Sequence, residues 1–436
     1  MTNVKLTVAV VIAVVIVASI GSAAVLLNKD DDGRYHSNDN TGRLQVYGNA
    51  TGDDYLDKDD VNLIREIIAR NSDNESDHID WRKDHPLADA NCDGELDAED
   101  VEWAEKMVNR DKMTIHYING NNEQKSVKYP IERSVVVGSN AMLTANALGA
   151  VTAGKVVGVT GEANKDGYLF SNVKDIAKVS KSVTTANFEE VTKIEGGVDA
   201  IITMASSAYV KNEKTFTDAG YDVVRISSSD GLASASVALT LGYLYGLETR
   251  ANEYARFCDK IVKTAQEKAS TLSESDKVRI LVGTMTNYVS GRASDYYELS
   301  VLCGGNNIAD WNDVTKRYEE GQEWLKEPKY HADWFVHFRN YSYEPSTELD
   351  KIYLEYSKYY DDIQTFKDGH YVIMNGYMPA VLRMAYMAEL MYPDLYGKGW
   401  ADGLHQEYID KFVDNLSEIG YKVVSSQFVI TNGSLK

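Results

Sequence analysis

Cationic residues are scarce in this chain: 45 lysines and arginines face 66 aspartates and glutamates, for a net charge of −21. A surface of that sign repels phosphate backbones, which excludes nucleic acid as a partner and favours solubility or bound cations. There are only three cysteines, Cys92, Cys258 and Cys303, far apart and without a CxxC pair, so they define neither a disulfide framework nor a zinc site. The eight histidines are scattered, with only His331 and His337 near each other, which argues against a site for a bare transition metal. Also missing are a Gly-x-Ser-x-Gly elbow, a zinc-protease motif and a convincing nucleophile–base pair. Gly149-Ala-Val-Thr-Ala-Gly-Lys155 copies most of a phosphate loop, but Val156 stands where Ser or Thr must hold magnesium. No reaction is legible, and the chain reads as a binding protein.

What is present begins with an apolar run. Leu6 to Leu27 is 22 residues without a charge, preceded by Lys5 and followed by Lys29 and Asp30–Asp32, long enough to span a bilayer core as a helix. The run passes beyond the small residues Ser22-Ala23-Ala24, which favours an uncleaved membrane anchor over a signal peptide. Either reading places the rest of the chain on the extracytoplasmic side, membrane-anchored at the cell surface in the first case. At 436 residues, two or three domains are expected.

About half of the acidic excess falls in residues 43–110. There Asp89-Ala-Asn-Cys-Asp-Gly-Glu-Leu-Asp-Ala-Glu-Asp100 matches a twelve-residue calcium loop, with oxygen donors at Asp89, Asn91, Asp93, the Glu95 carbonyl, Asp97 and Asp100. Gly94 occupies the turn position and Leu96 the core position, which a merely solvated acidic run would not arrange. A weaker copy places Asn49, Thr51, Asp53, Tyr55, Asp57 and Asp60 at the same positions, with Asp54 in place of the glycine. A helix is expected after each loop, over 61–70 and 101–109. Asp at the last position and a single short helix after each loop resemble a dockerin. That resemblance implies bound calcium and a cohesin-type module as partner. The pairs Lys58-Asp59 and Ala98-Glu99 depart from the Ser-Thr pair of well-known cohesin binders. A calcium-stapled spacer that lifts the main body off the membrane stands as the other reading.

From residue 131 the pattern alternates between β-rich runs and helical segments. Strands are expected at Ser134–Val137, Val156–Val159, Ala200–Met204, Val223–Ile226, Val278–Gly283, Asp333–Phe338 and Tyr371–Met374. Between them, Ala251, Tyr254, Ala255, Cys258, Ile261, Val262 and Ala265 mark one face of a long helix. One phrase occurs twice. Asn187-Phe-Glu-Glu-Val leads, ten residues after Glu189, into Asp199-Ala-Ile-Ile-Thr-Met, and Gln322-Glu-Trp-Leu leads, ten residues after Glu323, into Asp333-Trp-Phe-Val-His-Phe. Each reads as a short helix, a turn and a buried parallel strand. The expected fold is therefore α/β: two lobes with parallel sheets joined by one long helix, plus the small α-helical calcium domain and the N-terminal membrane helix. The expected divisions are 1–29 anchor, 30–42 linker, 43–110 calcium module, 111–130 linker, 131–234 first lobe, 235–272 linking helix region and 273–436 second lobe.

Ser134-Val-Val-Val, Leu148-Gly149 with Lys155-Val-Val-Gly158-Val, and Gly220-Tyr-Asp-Val-Val224 resemble, in order, the helical-backbone (class III) substrate-binding proteins of ABC importers. Leu241-Gly-Tyr-Leu-Tyr-Gly246, Cys303-Gly-Gly-Asn-Asn-Ile-Ala309 and Met391-Tyr-Pro-Asp-Leu-Tyr396 continue the match, within the group that handles iron chelates, siderophores, haem and vitamin B12. The resemblance implies a metal chelate or tetrapyrrole as ligand, a permease and its ATPase as partners, and one docking glutamate per lobe, at Glu189 and Glu323. Ligands of open α/β sheets sit beyond the carboxyl ends of strands. This rule selects Ser139, Asn140, Ser207 and Tyr209 in the first lobe, and Asn287, Tyr288, Arg292, Arg339, Tyr341, Asn375 and Tyr377 in the second. Aromatic rings and guanidinium forks suit a large, partly apolar, anionic guest. A surface scaffold acting through the dockerin-like module and a surface hydrolase remain the alternatives at this point.

Overall fold

A computed structural model describes residues 43–73, 78–161, 167–284, 288–310, 315–317 and 323–432, together with the pairs 28–29 and 35–36. The expected membrane segment, Leu6 to Leu27, lies outside the described residues. Among the described residues, no helix is long and apolar enough to cross a membrane. The chain divides into two compact units, Met1–Asn109 and Arg110–Lys436.

In the first unit, helices α1 (Lys58–Asp73) and α2 (Ala98–Val108) each follow one acidic loop. They pack through Ile64, Val61 and Ala104 against Ala50, Ala88 and Ala90. The loops repeat one hydrogen-bond pattern. The last carboxylate accepts from the third residue's N–H, Asp60 from Thr51 at 3.0 Å and Asp100 from Asn91 at 3.2 Å. Position four has positive φ in both, at Gly52 and Cys92. Position six differs: Gly94 has φ +93°, but Asp54 does not adopt the left-handed backbone expected of it. Asp54 instead forms a buried ion pair with Arg43, a specific charge partner that the glycine position of the other loop lacks.

The second unit opens with a correction. Residues 111–130, expected as a linker, form a hairpin of β1 (Met113–Ile118) and β2 (Gln124–Tyr129). Ile115, Tyr117, Val127 and Tyr129 alternate inward, and the Asn119 side chain accepts from Asn121 N–H and Glu123 N–H to hold the turn.

The first lobe carries five parallel strands: β3 (Ser134–Val137), β4 (Val156–Thr160), β5 (Ala177–Ser180), β6 (Ala200–Met204) and β7 (Asp222–Ile226), in the order β5-β4-β3-β6-β7. β3 and β6 are buried along their whole length, as central strands covered on both faces must be. Helices α3 (Ser139–Ala147), α4 (Phe188–Thr192) and α5 (Glu213–Asp218) connect them. The hairpin rides on the β7 edge, where Gly120 N–H donates to Arg225 O at 2.8 Å and Lys128 N–H to the Asp222 carboxylate at 2.9 Å.

The linking region, expected as one long helix, is two. α6 (Ser234–Tyr245) stops at Gly246 in the left-handed conformation, with Leu247 N–H bonded to Gly242 O and Gly246 N–H to Tyr243 O. α7 (Glu248–Ala269) then runs 22 residues and buries Ala251, Tyr254, Ala255, Cys258, Ile261 and Ala265 of the expected face, with Phe257 added. The two helices touch where a side chain on Gly242 would collide with Ala251.

The second lobe holds β8 (Arg279–Thr284), β9 (Tyr288–Ser290), α8 (Asp295–Leu302), β10 (Asn306–Asn307), β11 (Thr315–Arg317), β12 (Trp334–Arg339), α9 (Leu349–Ser357), β13 (Tyr371–Asn375), α10 (Ala380–Met391), α11 (Trp400–Phe412) and β14 (Val429–Ile430). Its sheet is mixed where a parallel one was expected. β8, β12 and β13 are parallel, but β9, β11 and β14 pair antiparallel at the margins. The connection from β8 to β9 is too short for a crossover helix, which forces that pair to be antiparallel. The duplicated phrase maps onto equivalent places: Asp199 just ahead of β6 pairs with the start of β3, and Asp333 just ahead of β12 with the start of β8.

Candidate functional site

Both sheets reverse their strand order between the same two strands, β3 and β6 in the first lobe, β8 and β12 in the second. The carboxyl ends of these strands form the crevice positions of an open sheet. In the first lobe, β3 ends at Gly138, whose φ of +97° and close approach to the Tyr209 ring leave no room for a side chain. Ser139 and Asn140 then open α3. The turn after β6 is held by Arg225, which donates to the carbonyls of Met204 (3.1 Å), Ser206 (3.2 Å) and Tyr209 (3.2 Å) and pairs with Glu213. Ser207 is exposed on that turn, and Tyr209 is half-buried over Gly138.

The second lobe places its candidates less uniformly. Asn287 lies outside the described residues. Tyr288, half-buried, opens β9, and the exposed Arg292 pairs with Asp310 at 3.3 Å. Arg339 ends β12 with its guanidinium 4.0 Å over the Tyr356 ring and Nη2 donating to the Tyr356 hydroxyl. Asn375 is fully buried and spends both ends of its amide on backbone, donating to Tyr341 O at 3.0 Å and accepting from Tyr377 N–H at 2.9 Å. That bracket ties the connections after β12 and β13 together. Tyr341 and Tyr377 are buried with it, and Tyr377 lies edge-on to Phe170 of the first lobe. His337 is a core residue bonded to the Tyr371 hydroxyl, and His331 sits at the surface beside Asp368.

Three further connections cross the seam. The Asn140 amide oxygen accepts from Arg383 Nη2 at 2.7 Å, Ser229 donates to Asp295, and Asn415 donates to the carbonyls of Tyr168 and Leu169. Beside the Asn140 contact lies a narrow cleft with room for about one water molecule. α3 contributes Asn140 and Thr144 to its wall, the end of β7 Ser228, α6 Ser234, α7 Tyr254, and the second lobe Pro379 and Ala380. No acidic side chain lines it. Strand-end position selects Asn140; Arg383, which donates to it, lies outside those candidates. Its signal was visible as the single charge within Ala380-Val-Leu-Arg-Met-Ala-Tyr-Met-Ala.

Glu189 and Glu323 are both exposed at the start of a helical turn, Glu189 in α4 and Glu323 in the 3₁₀ turn Glu323–Lys326. Glu323 pairs with Lys326 at 2.7 Å.

In the first unit, the donor chemistry of both loops is that of a hard, oxygen-seeking cation. Burial pushes the Asp60 carboxyl up to about 7 and Asp100 up to about 6, and it raises Asp89 as well, so their negative charge is incompletely compensated. Asp89 Oδ1 is buried without a hydrogen-bond partner. Against this, no three His, Cys, Asp or Glu side chains among the described residues converge on one ion position. The carboxylates turn onto loop N–H groups instead, as Asp89 does to Gly94 and Asp53 to Tyr55.

No protein-family model matches the sequence, and no curated protein matches it either. Solved structures do resemble it in fold. A periplasmic solute binding protein from Veillonella parvula superposes with a TM-score of 0.53 at 18% identity, over 72% of this chain and 95% of that one. The molybdate periplasmic binding protein MolA of Haemophilus influenzae gives 0.55 at 15% identity, over 69% and 98%. CeuE of Helicobacter pylori, solved with Ni(II) bound, gives 0.51 at 15%, over 69% and 98%. The chain has the two-lobe α/β fold of periplasmic solute-binding proteins.

Proposed function

We propose that the chain is the extracytoplasmic solute-binding component of an ABC importer, which captures a chelated iron, haem or corrinoid-type ligand and delivers it to a permease and its ATPase. The observation that carries this reading is the doubled switch point: two sheets, bridged by α7, each aim the ends of their central strands at one seam. Fold likeness to periplasmic binding proteins supports it. No bond is made or broken; affinity and a small lobe movement are the mechanism, since bending the packed α7 is costly. Asn140, Ser207, Tyr209, Tyr288, Arg292 and Arg339 are the ligand contacts, with Asn375, Tyr341 and Tyr377 bracing the second wall. Glu189 and Glu323 dock on permease arginines. An exposed ion pair contributes only about 0–1 kcal/mol, so they orient the encounter more than they tighten it.

The first unit is a calcium module. Asp89, Asn91, Asp93, the Glu95 carbonyl, Asp97 and Asp100 hold one ion and the weaker loop another, which would supply the countercharge that buried Asp60 and Asp100 lack. With Leu6–Leu27 in the membrane, the module serves as a spacer or as an arm for a cohesin-type partner. The test is calorimetric titration of the purified chain with haem, cobalamin and ferric chelates, in calcium and in chelator. Micromolar or tighter binding of one of them, unchanged by chelator, is expected. Failure to bind any of them removes the carrier reading.

A further inference from the structure

We propose that the segment Tyr168–Val173 is a strap that closes the ligand side of the seam, and that its release from the second lobe, more than any hinging of the lobes, admits the solute. The inference rests on the carrier reading and deepens it.

The segment follows the carboxyl end of β4 and crosses to the second lobe. The Phe170 ring meets Tyr377 at 6.0 Å, two residues beyond the carboxyl end of β13, and Tyr168 lies 5.9 Å from Tyr421. Leu169, Phe170 and Val173 are buried. The crossing therefore runs between strand ends on the side where ligands of open sheets sit. The cleft beside Asn140 has room for about one water, far below the roughly 300–1,000 Å³ that a small-molecule site encloses. Something must move to admit a solute, and the packed α7, 22 residues long, resists bending. A loop segment is the softer element.

Its bonds are those of a latch. Asn415, in the short helix Asp414–Glu418, donates from Nδ2 to Tyr168 O at 3.2 Å, Leu169 O at 3.1 Å and Ser171 Oγ at 2.9 Å. That nitrogen has two hydrogens for the three acceptors. The Oδ1 of the same amide is buried without a partner. On the first-lobe side, Asn172 Nδ2 donates to Asn146 Oδ1 of α3 at 2.8 Å, which leaves Asn146 Nδ2 and Asn172 Oδ1 buried and unpartnered. Turning both amides over only exchanges the roles. Three amide atoms thus go unsatisfied while the strap is docked, a penalty that release into water removes. The preceding residue shows the contrast. Asp414 is ion-paired with Arg250 of α7 and accepts from the Thr152 hydroxyl, charged bonds that fix the same short helix to the bridge. A charged pivot and a neutral latch sit side by side.

The test follows the full chain by amide hydrogen exchange and by stopped-flow mixing with haem and with cobalamin. Asn415→Asp keeps the shape of the side chain but sets a carboxylate against the strap carbonyls. Exchange over 168–176 should quicken while exchange in β6 does not. Whichever probe binds should associate about 10- to 100-fold faster, the equivalent of two or three lost hydrogen bonds. A merely structural tie would quicken exchange and leave the association rate alone. Asn415→Ala removes the donors without adding charge, and it decides the matter if Asn415→Asp does not fold. A wild-type association rate with the strap released overturns the proposal and spares the carrier reading, and so does unchanged exchange over 168–176. Binding of neither probe overturns both.

Discussion

In the first lobe, Asp199 accepts from two N–H groups at the start of β3, Glu132 at 3.0 Å and Arg133 at 2.9 Å. In the second, Asp333 accepts from one, Arg279 at 2.7 Å. Both lobes add an arginine that reaches the turn ahead of the neighbouring strand: Arg133 donates to Gly197 O and Arg279 to Lys329 O, each at 2.8 Å. One clamp thus sets the register of the central strand pair in each lobe, away from the ligand side. Beyond the clamp the lobes diverge. The first fills its core with Val135, Val137, Ile201 and Val223. The second fills its core with Phe335, Tyr353, Tyr360 and Tyr371, and it buries histidines among hydroxyls. The frame is shared, and the contents differ with what each lobe must satisfy in its interior.

Three measurements would break or sharpen that comparison. Asp199→Ala leaves two N–H groups without their carboxylate and should cost about 3 kcal/mol in urea unfolding, against about 2 kcal/mol for Asp333→Ala. A larger loss in the second lobe would end the claim that the first clamp is the stronger.

Next comes acid sensitivity. His405 is buried between the Tyr343 and Tyr386 hydroxyls, and burial holds its imidazole down to about 3 from the usual 6.5. The unfolded chain binds that proton first, so the contribution of neutral His405 is complete above about pH 6.5. It is lost as pH falls towards 3, at up to about 1.4 kcal/mol per pH unit. His405→Phe should flatten that part of the pH–stability curve; an unchanged slope would place the acid sensitivity elsewhere.

The smallest stability effect belongs to the exposed glutamates. Glu189→Lys with Glu323→Lys should shift unfolding by no more than about 0.5 kcal/mol and leave ligand affinity intact while abolishing uptake. If either single reversal leaves uptake at the wild-type rate, the two lobes do not share the docking role equally.

Much of the frame was legible in sequence because buried parallel strands announce themselves as short apolar β-rich runs. Ser134–Val137 and Ala200–Met204 coincide with the observed strands at both ends. The hairpin at 113–129 was missed although its alternation brackets an Asn-Gly-Asn-Asn turn, because a connecting position outweighed the pattern. β5 was missed for another reason: as an edge strand it exposes Ala177 and Lys178, so it lacks the apolar run that marked its neighbours. Among site candidates, strand-end position does not separate residues that bond across the seam, such as Asn140, from those, such as Asn375, whose amide is consumed by the backbone of adjacent loops.

Composition and periodicity alone determined that this chain builds two α/β halves and an acidic loop module, since burial pattern and loop chemistry are local properties of consecutive residues. Only tertiary structure decided that Gly246 splits the bridge into two helices and that the second sheet is mixed. It also decided that Arg383, 243 residues from Asn140, meets it in the seam, with no acidic partner among the described residues. Those outcomes depend on which groups are left unsatisfied after distant segments pack together, and spacing along the chain carries no record of that.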